Sequence, residues 1–96
     1  MAAYVVLIRD RVRDEGAMQA YGPKAKAARA GHALTPIAFY GKVRSLEGEP
    51  VDGVVILEFP SFAEAEAWYE SPLYQEARDL RLKGGDYRAF IVDGVS

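Results

Sequence analysis

Four short segments of the chain are rich in β-branched and aromatic residues, which is the pattern of β-strands. They cover residues 4–8, 37–46, 54–59 and 87–92. The first, third and fourth are apolar at consecutive positions, so both faces of each strand are expected to be buried. The second alternates apolar and polar side chains, which predicts an edge strand or the wall of a pocket.

The segment between the first two strands has helical periodicity. Its apolar stripe consists of Met18, Tyr21, Ala25 and Ala28. Asp14 is expected to cap the start of this helix, and Gly31 to follow its end. Gly22-Pro23 predicts a kink or a short break, because proline lacks an amide donor and crowds the preceding turn.

A second helical region, in two pieces, is predicted after the third strand. Ser61, with a glutamate three residues later, forms a capping box at its start. Ser71-Pro72 is typical of a new helix start, with serine as N-cap and proline at the first helical position. Gly84-Gly85 is expected to end it. The residues expected to face the core from the second piece are Leu73, Ala77 and Leu80.

The predicted order is β-α-β-β-α-β over a single domain, residues 1–96, which is the ferredoxin-like α+β arrangement. It has a four-stranded antiparallel sheet with the helices on one face. Three of the strands are apolar on both faces, so a monomer would expose a large apolar surface. We therefore expect a homodimer in which the open sheet faces pack together.

Composition removes several classes of function. A formal net charge of −2 argues against a nucleic-acid partner, which needs a basic field. The chain has no cysteine and one histidine, and its acidic residues are not paired at ligand spacing, so we expect no metal. No nucleotide-binding motif is present, so no cofactor is expected. No apolar run is long enough for a signal peptide or a membrane span, which favours a cytoplasmic protein.

Three residues with ionisable side chains are candidates for proton transfer. His32 has the only side chain that normally titrates near neutral pH, although a histidine after a helix end also commonly bonds the terminal carbonyls. Glu58 is the one charge in an apolar strand and therefore needs a partner; Arg44, Arg78 or Arg81 could supply it. The alternative to a role in proton transfer is that Glu58 forms a structural ion pair with one of these arginines. Tyr40 is a third candidate for catalysis.

Aromatic residues cluster around the break between the two helical pieces. Aromatics at helical spacing are usually core, but their polar tips also suit the rim of a small-molecule pocket. The candidate ligand-binding residues are Tyr21, Tyr40, Arg44, Trp68, Tyr69, Tyr74 and Arg78. Arg78 and Arg81, three residues apart on one helix face, could bind a carboxylate or complement the helix C-terminus.

The stretch from Glu58-Phe59-Pro60-Ser61 through Trp68-Tyr69 to Ser71-Pro72 and Tyr74 resembles the DUF1330 family of small bacterial proteins. The segment GKVRSLEG, residues 41–48, is similar to the family's turn. The resemblance implies the dimeric α+β barrel superfamily, which includes antibiotic-biosynthesis monooxygenases, but no established activity. The chain departs from the family pattern at Phe39 and Tyr40, where an arginine–glycine pair is common. A ligand transferred by analogy would lose part of its contacts there.

The leading functional hypothesis is a homodimer that binds a small organic molecule in a mostly apolar pocket. A cofactor-independent enzyme of the monooxygenase or isomerase kind is the first alternative. The second is a structural interaction module without a ligand. A cavity near Tyr21, Tyr40 and Trp68 would discriminate the first two from the third, and a titratable group reaching that cavity would favour the enzyme.

Overall fold

The four predicted strands form one antiparallel sheet in the computed structural model, which describes residues 1–95. The strands are β1 (Ala3–Val12), β2 (Thr35–Phe39), β3 (Gly53–Phe59) and β4 (Gly85–Asp93), and the helices are α1 (Glu15–Ala27), α2 (Phe62–Glu70) and α3 (Pro72–Gly84). The strand order is β2-β3-β1-β4. The predicted ferredoxin-like arrangement, with its second helix in two pieces, is confirmed.

Side chains alternate between two faces of the sheet because successive residues of a strand point in opposite directions. Val5 lies opposite Leu57 and Leu7 opposite Val55, and these four are buried on the face that the helices cover. On the other face, side chains of β1 and β3 are partly exposed, and Phe90 and Val92 of β4 are exposed. The core therefore lies on one side of the sheet, and an apolar surface remains on the other.

The second strand differs from its prediction. It spans Thr35–Phe39 rather than residues 37–46. Tyr40 has a φ of 53°, in the left-handed region, and this conformation is incompatible with an extended strand. Residues 41–50 are all exposed and contain no regular element. The alternating pattern that suggested a longer strand is thus the pattern of a polar loop.

Helix α1 runs without a break through Gly22-Pro23, where an interruption was expected. A residue before proline is normally pushed out of the helical region because its own Cβ meets the proline ring. Gly22 has no Cβ, so the helix continues. The start of α1 is as predicted, because Asp14 Oδ1 accepts from the Ala17 amide at 3.1 Å. The helix ends earlier than predicted, at Ala27 with Ala28 as its C-cap, so Gly31, with a φ of 81°, lies in the turn beyond it.

Serine caps begin both α2 and α3. Ser61 Oγ accepts from the Glu64 amide at 3.2 Å, and Ser71 Oγ accepts from the Tyr74 amide at 3.3 Å. The predicted inward stripe of α3 needs correction, because Leu73 is 51% exposed and Arg81 only 2% exposed. The buried residues of α3 are Tyr74, Ala77, Arg81 and Gly84.

Helix α1 packs closely on α3 at a glycine. A Cβ on Gly84 would lie 2.5 Å from Met18 Sδ and 3.0 Å from the Met18 amide nitrogen. No helix within residues 1–95 has the length and apolar character of a membrane span.

Candidate functional site

A cavity of about 720 Å³ lies between α1 and the buried face of the sheet. Its floor is formed by Leu7, Val55 and Leu57, and Trp68 of α2 closes part of it. The face of α1 above the floor includes Gly22 and Ala25. Because α1 packs closely on α3 and has only the small side chains of Gly22 and Ala25 on this part of its face, space remains between this part of α1 and the sheet.

Tyr40 forms one wall of the cavity. Its ring lies beside Gly53, where an added Cβ would come within 2.7 Å of it. Its hydroxyl lies 2.6 Å from the Tyr87 hydroxyl. Burial raises the pKa of Tyr40, and the hydrogen bond with Tyr87 adds to this effect. Tyr40 is therefore a neutral hydroxyl at physiological pH.

Arg9 is the charged residue of the cavity floor. It lies on the same face of β1 as Leu7, since the two are separated by two positions. Its guanidinium lies 4.4 Å from the centre of the Tyr40 ring, and its Nε donates to Asp52 Oδ2 at 2.6 Å. Burial opposes the charge of Arg9, but its interactions with Asp52 and Tyr87 together outweigh this effect, so the pKa of Arg9 is raised.

A buried group of tyrosines and one arginine lies beside the cavity. The hydroxyls of Tyr21 and Tyr74 are 2.9 Å apart, and the Arg81 guanidinium lies 4.8 Å from the centre of the Tyr87 ring. Burial, and then the neighbouring Tyr74, raises the pKa of Tyr21. Burial also raises the pKa of Tyr74, although Arg81 opposes this shift. Of these four side chains, Tyr21 is the one that lines the cavity.

The structure brings together three of the residues predicted from the sequence to bind a ligand. Tyr21, Tyr40 and Trp68 all line the cavity. Tyr74 lies behind them, with its ring centre 4.0 Å from that of Trp68.

The remaining candidates lie elsewhere. Arg78 Nη1 donates to the Tyr69 hydroxyl at 3.3 Å, away from the cavity lining. Arg44 is in the exposed loop of residues 41–50, and His32 follows the turn after α1. Neither of them lines the cavity.

Glu58 lies on the opposite face of the sheet from the core. It accepts a hydrogen bond from the Tyr4 hydroxyl at 3.3 Å, and it forms no ion pair with an arginine among residues 1–95. The expected arginine partners are therefore replaced by a tyrosine. Arg78 and Arg81 are on α3, which packs on the other side of the sheet, and Arg44 is in a loop.

Three cationic residues of the cavity were missed. They are Arg9, Lys26 and Arg29. Arg9 follows Leu7 at the strand period, but the predicted strand ended one residue before it. Lys26 and Arg29 lie one helical turn after Gly22 and Ala25, so the helical period could have identified both.

These features define a small α+β protein of the ferredoxin-like class with a cavity under its first helix. The chain belongs to the DUF1330 family, a domain of unknown function, whose model matches residues 2–95. No curated protein matches the sequence significantly.

Several solved structures share the fold. A protein of unknown function from Rhodopseudomonas palustris, RPA0582, is 20% identical, with a TM-score of 0.72, and the match covers 99% of this chain and 83% of that one. A dimeric ferredoxin-like protein of unknown function from Jannaschia sp. CCS1 is 14% identical, with a TM-score of 0.68 and coverage of 98% and 100%. SnoaB, a cofactor-independent oxygenase from Streptomyces nogalater, is 9% identical, with a TM-score of 0.62 and coverage of 99% and 93%.

Proposed function

We propose that this protein binds a small organic molecule in the cavity under α1. The observation that carries the proposal is the cavity itself, whose volume of about 720 Å³ is in the range of ligand pockets. Its floor is aliphatic, and its lining also includes a few polar residues, among them Tyr40, Tyr21 and Arg9. Such a lining suits a mostly apolar ligand that is oriented by a small number of hydrogen bonds.

We propose that the molecule is a homodimer formed through the uncovered face of the sheet. That face carries the partly exposed side chains of Val6, Ile8, Val54 and Ile56 and the exposed side chains of Phe90 and Val92. A symmetric pairing would remove this apolar surface from water. The Jannaschia neighbour is described as dimeric, which supports the same assembly here. The lack of cysteine fits a cytoplasmic location.

The second candidate function is a cofactor-independent enzyme. Tyr40 supports it, because a residue other than glycine in the left-handed region at a cavity wall is typical of functional sites. Fold similarity to SnoaB gives only an analogy. His32 and Glu58 do not line the cavity, and Glu15, which does, is exposed at the start of α1. Burial raises the pKa of Tyr40. A hydroxyl with a raised pKa is a poor proton donor, and binding is therefore the better-supported function.

Trp68 provides the test, because it is the one tryptophan of the chain and it lines the cavity. The probe is N-phenyl-1-naphthylamine, a neutral fluorophore that accepts energy from tryptophan. We expect it to quench Trp68 emission saturably. Ala25→Phe should abolish the quenching because the new ring fills the space under α1, and Ala25→Leu should weaken it with less disturbance.

The matched control is Ala27→Phe, on an exposed position of the same helix that does not line the cavity. It should bind the probe as the wild type does. The proposal is wrong if the wild type does not bind the probe, or if Ala25→Phe and Ala25→Leu, folded by circular dichroism, bind it unchanged.

A further inference from the structure

The charges around the cavity are unevenly distributed along its length. Glu15 begins α1, and Lys26 lies eleven residues later on the same lining face. At 1.5 Å per residue these two side chains start roughly 16 Å apart along the helix axis. Arg29 follows in the turn after α1 and also lines the cavity. The cavity therefore has two ends that differ in charge.

The end near Glu15 is electrically compensated. Arg9, on the floor at that end, already binds Asp52 at 2.6 Å, and the Glu15 carboxylate lines the same end. The cation Arg9 at this end is thus accompanied by two carboxylates, its partner Asp52 and the lining residue Glu15. This end does not favour an additional anion.

The other end carries Lys26 and Arg29 with no acidic residue in the lining beside them. Within residues 1–95, neither side chain forms an ion pair. Next to them the cavity wall is apolar, with Ala25, Leu34 and Pro36. Two cations beside an apolar wall match an amphiphilic anion, because the cations bind the head group and the wall receives the apolar part.

A cation near a helix C-terminus also interacts favourably with the helix dipole. Lys24 lies in the same last turn as Lys26 and could fulfil that role equally. It does not line the cavity. Lys24 therefore separates the two roles experimentally.

We propose that the ligand of the cavity is an amphiphilic organic anion, with its acidic head group at Lys26 and Arg29 and its apolar body on Leu7, Val55 and Leu57. This inference rests on the proposed binding function and adds the chemical class of the ligand. It also assigns Lys26 and Arg29 as specificity-determining residues.

The test measures displacement of N-phenyl-1-naphthylamine by two probes of equal chain length, decanoate and 1-decanol, below the micelle concentration. The key variant is Lys26→Ala/Arg29→Ala. Its control is Lys24→Ala/Arg44→Ala, which removes the same charge from exposed positions outside the cavity. We expect the key variant to weaken decanoate binding about tenfold, as for two exposed ion pairs, and to leave decanol binding unchanged.

The control variant should bind both probes as the wild type does. Added salt should weaken decanoate binding and not decanol binding. If the key variant changes both probes equally, or changes neither, or if the control weakens decanoate as much, the anion inference is wrong while the binding function stands. If the fluorophore does not bind the wild type, the binding function itself is wrong.

Discussion

At the scale of single residues, Tyr40 is held in its position by three neighbours on three different strands, β1, β3 and β4. Gly53 leaves room for its ring, Arg9 lies over the ring at 4.4 Å, and the Tyr87 hydroxyl bonds its own at 2.6 Å. These contacts offset the cost of a left-handed backbone, which is of order 1–3 kcal/mol for such positions.

Replacing Gly53 by alanine should therefore be costly. The new Cβ would lie 2.7 Å from Cδ1 of Tyr40, so we expect a loss of about 1–3 kcal/mol in the free energy of unfolding, as for overpacked sites. In a Tyr40→Gly background the ring is absent, and Gly53→Ala should then cost much less. Urea unfolding at one fixed protein concentration measures both values. If Gly53→Ala lowers the free energy of unfolding equally in the wild type and in the Tyr40→Gly variant, the Tyr40 ring is not the cause of the loss.

Residue-level contacts were also the least predictable from the sequence. Trp68 and Tyr21 were identified because they lie on regular apolar stripes. Arg81 was not predicted among the core-facing residues of α3, since an arginine is seldom buried. In the structure the Arg81 guanidinium lies over the ring of Tyr87, which is close in space but belongs to the last strand. No local pattern contains that information.

At the scale of elements, the contact between α1 and α3 keeps α1 away from the sheet. Gly84 allows this close approach because it has no side chain to separate the helices. Start and stop signals such as Ser61, Ser71 and Gly84-Gly85 were readable because capping depends on neighbours a few residues away. The end of β2 could not be predicted in this way, because it depends on the conformation of Tyr40, which tertiary contacts fix.

Gly84→Ala tests this helix contact. The added Cβ would meet both the Met18 side chain and its backbone nitrogen, so α1 must shift. We expect a loss of about 1–3 kcal/mol in the free energy of unfolding and altered affinity for N-phenyl-1-naphthylamine. Gly41→Ala is the control, since a Cβ added there would meet nothing within 4 Å and its loop is exposed. If Gly84→Ala leaves the free energy of unfolding and the fluorophore affinity unchanged, the contact between α1 and α3 is not what creates the cavity.

At the scale of the whole molecule, the sheet has a covered and an uncovered face. The two-sided apolar character of β1, β3 and β4 was evident in the sequence and led to the proposed dimer, whereas the fold followed from the order of strands and helices. The position of the cavity under α1 was not evident, because a void depends on how far apart two elements stand rather than on the pattern within either. Of its predicted lining residues, Tyr21 and Trp68 belong to helix stripes, and Tyr40 directly follows β2.

The proposed dimer predicts a mass of twice 10.6 kDa at micromolar protein concentration. Val6→Lys places a charge at the centre of the uncovered face, opposite Ile56, and should give a monomer. Ala63→Lys, on an exposed position of α2, should remain dimeric. Sedimentation equilibrium distinguishes the species. A monomeric wild type, or a dimeric Val6→Lys variant, would refute assembly through this face.

The two outer strands of the sheet differ in a way that bears on aggregation. Strand β2 is five residues long, contains Pro36, and has an irregular register around Ile37, and all three features hinder the addition of a further strand. Strand β4 is nine residues long and carries exposed Phe90 and Val92. Partly unfolded copies are therefore expected to stack edge to edge through β4, and the rim beside the cavity is protected from such growth.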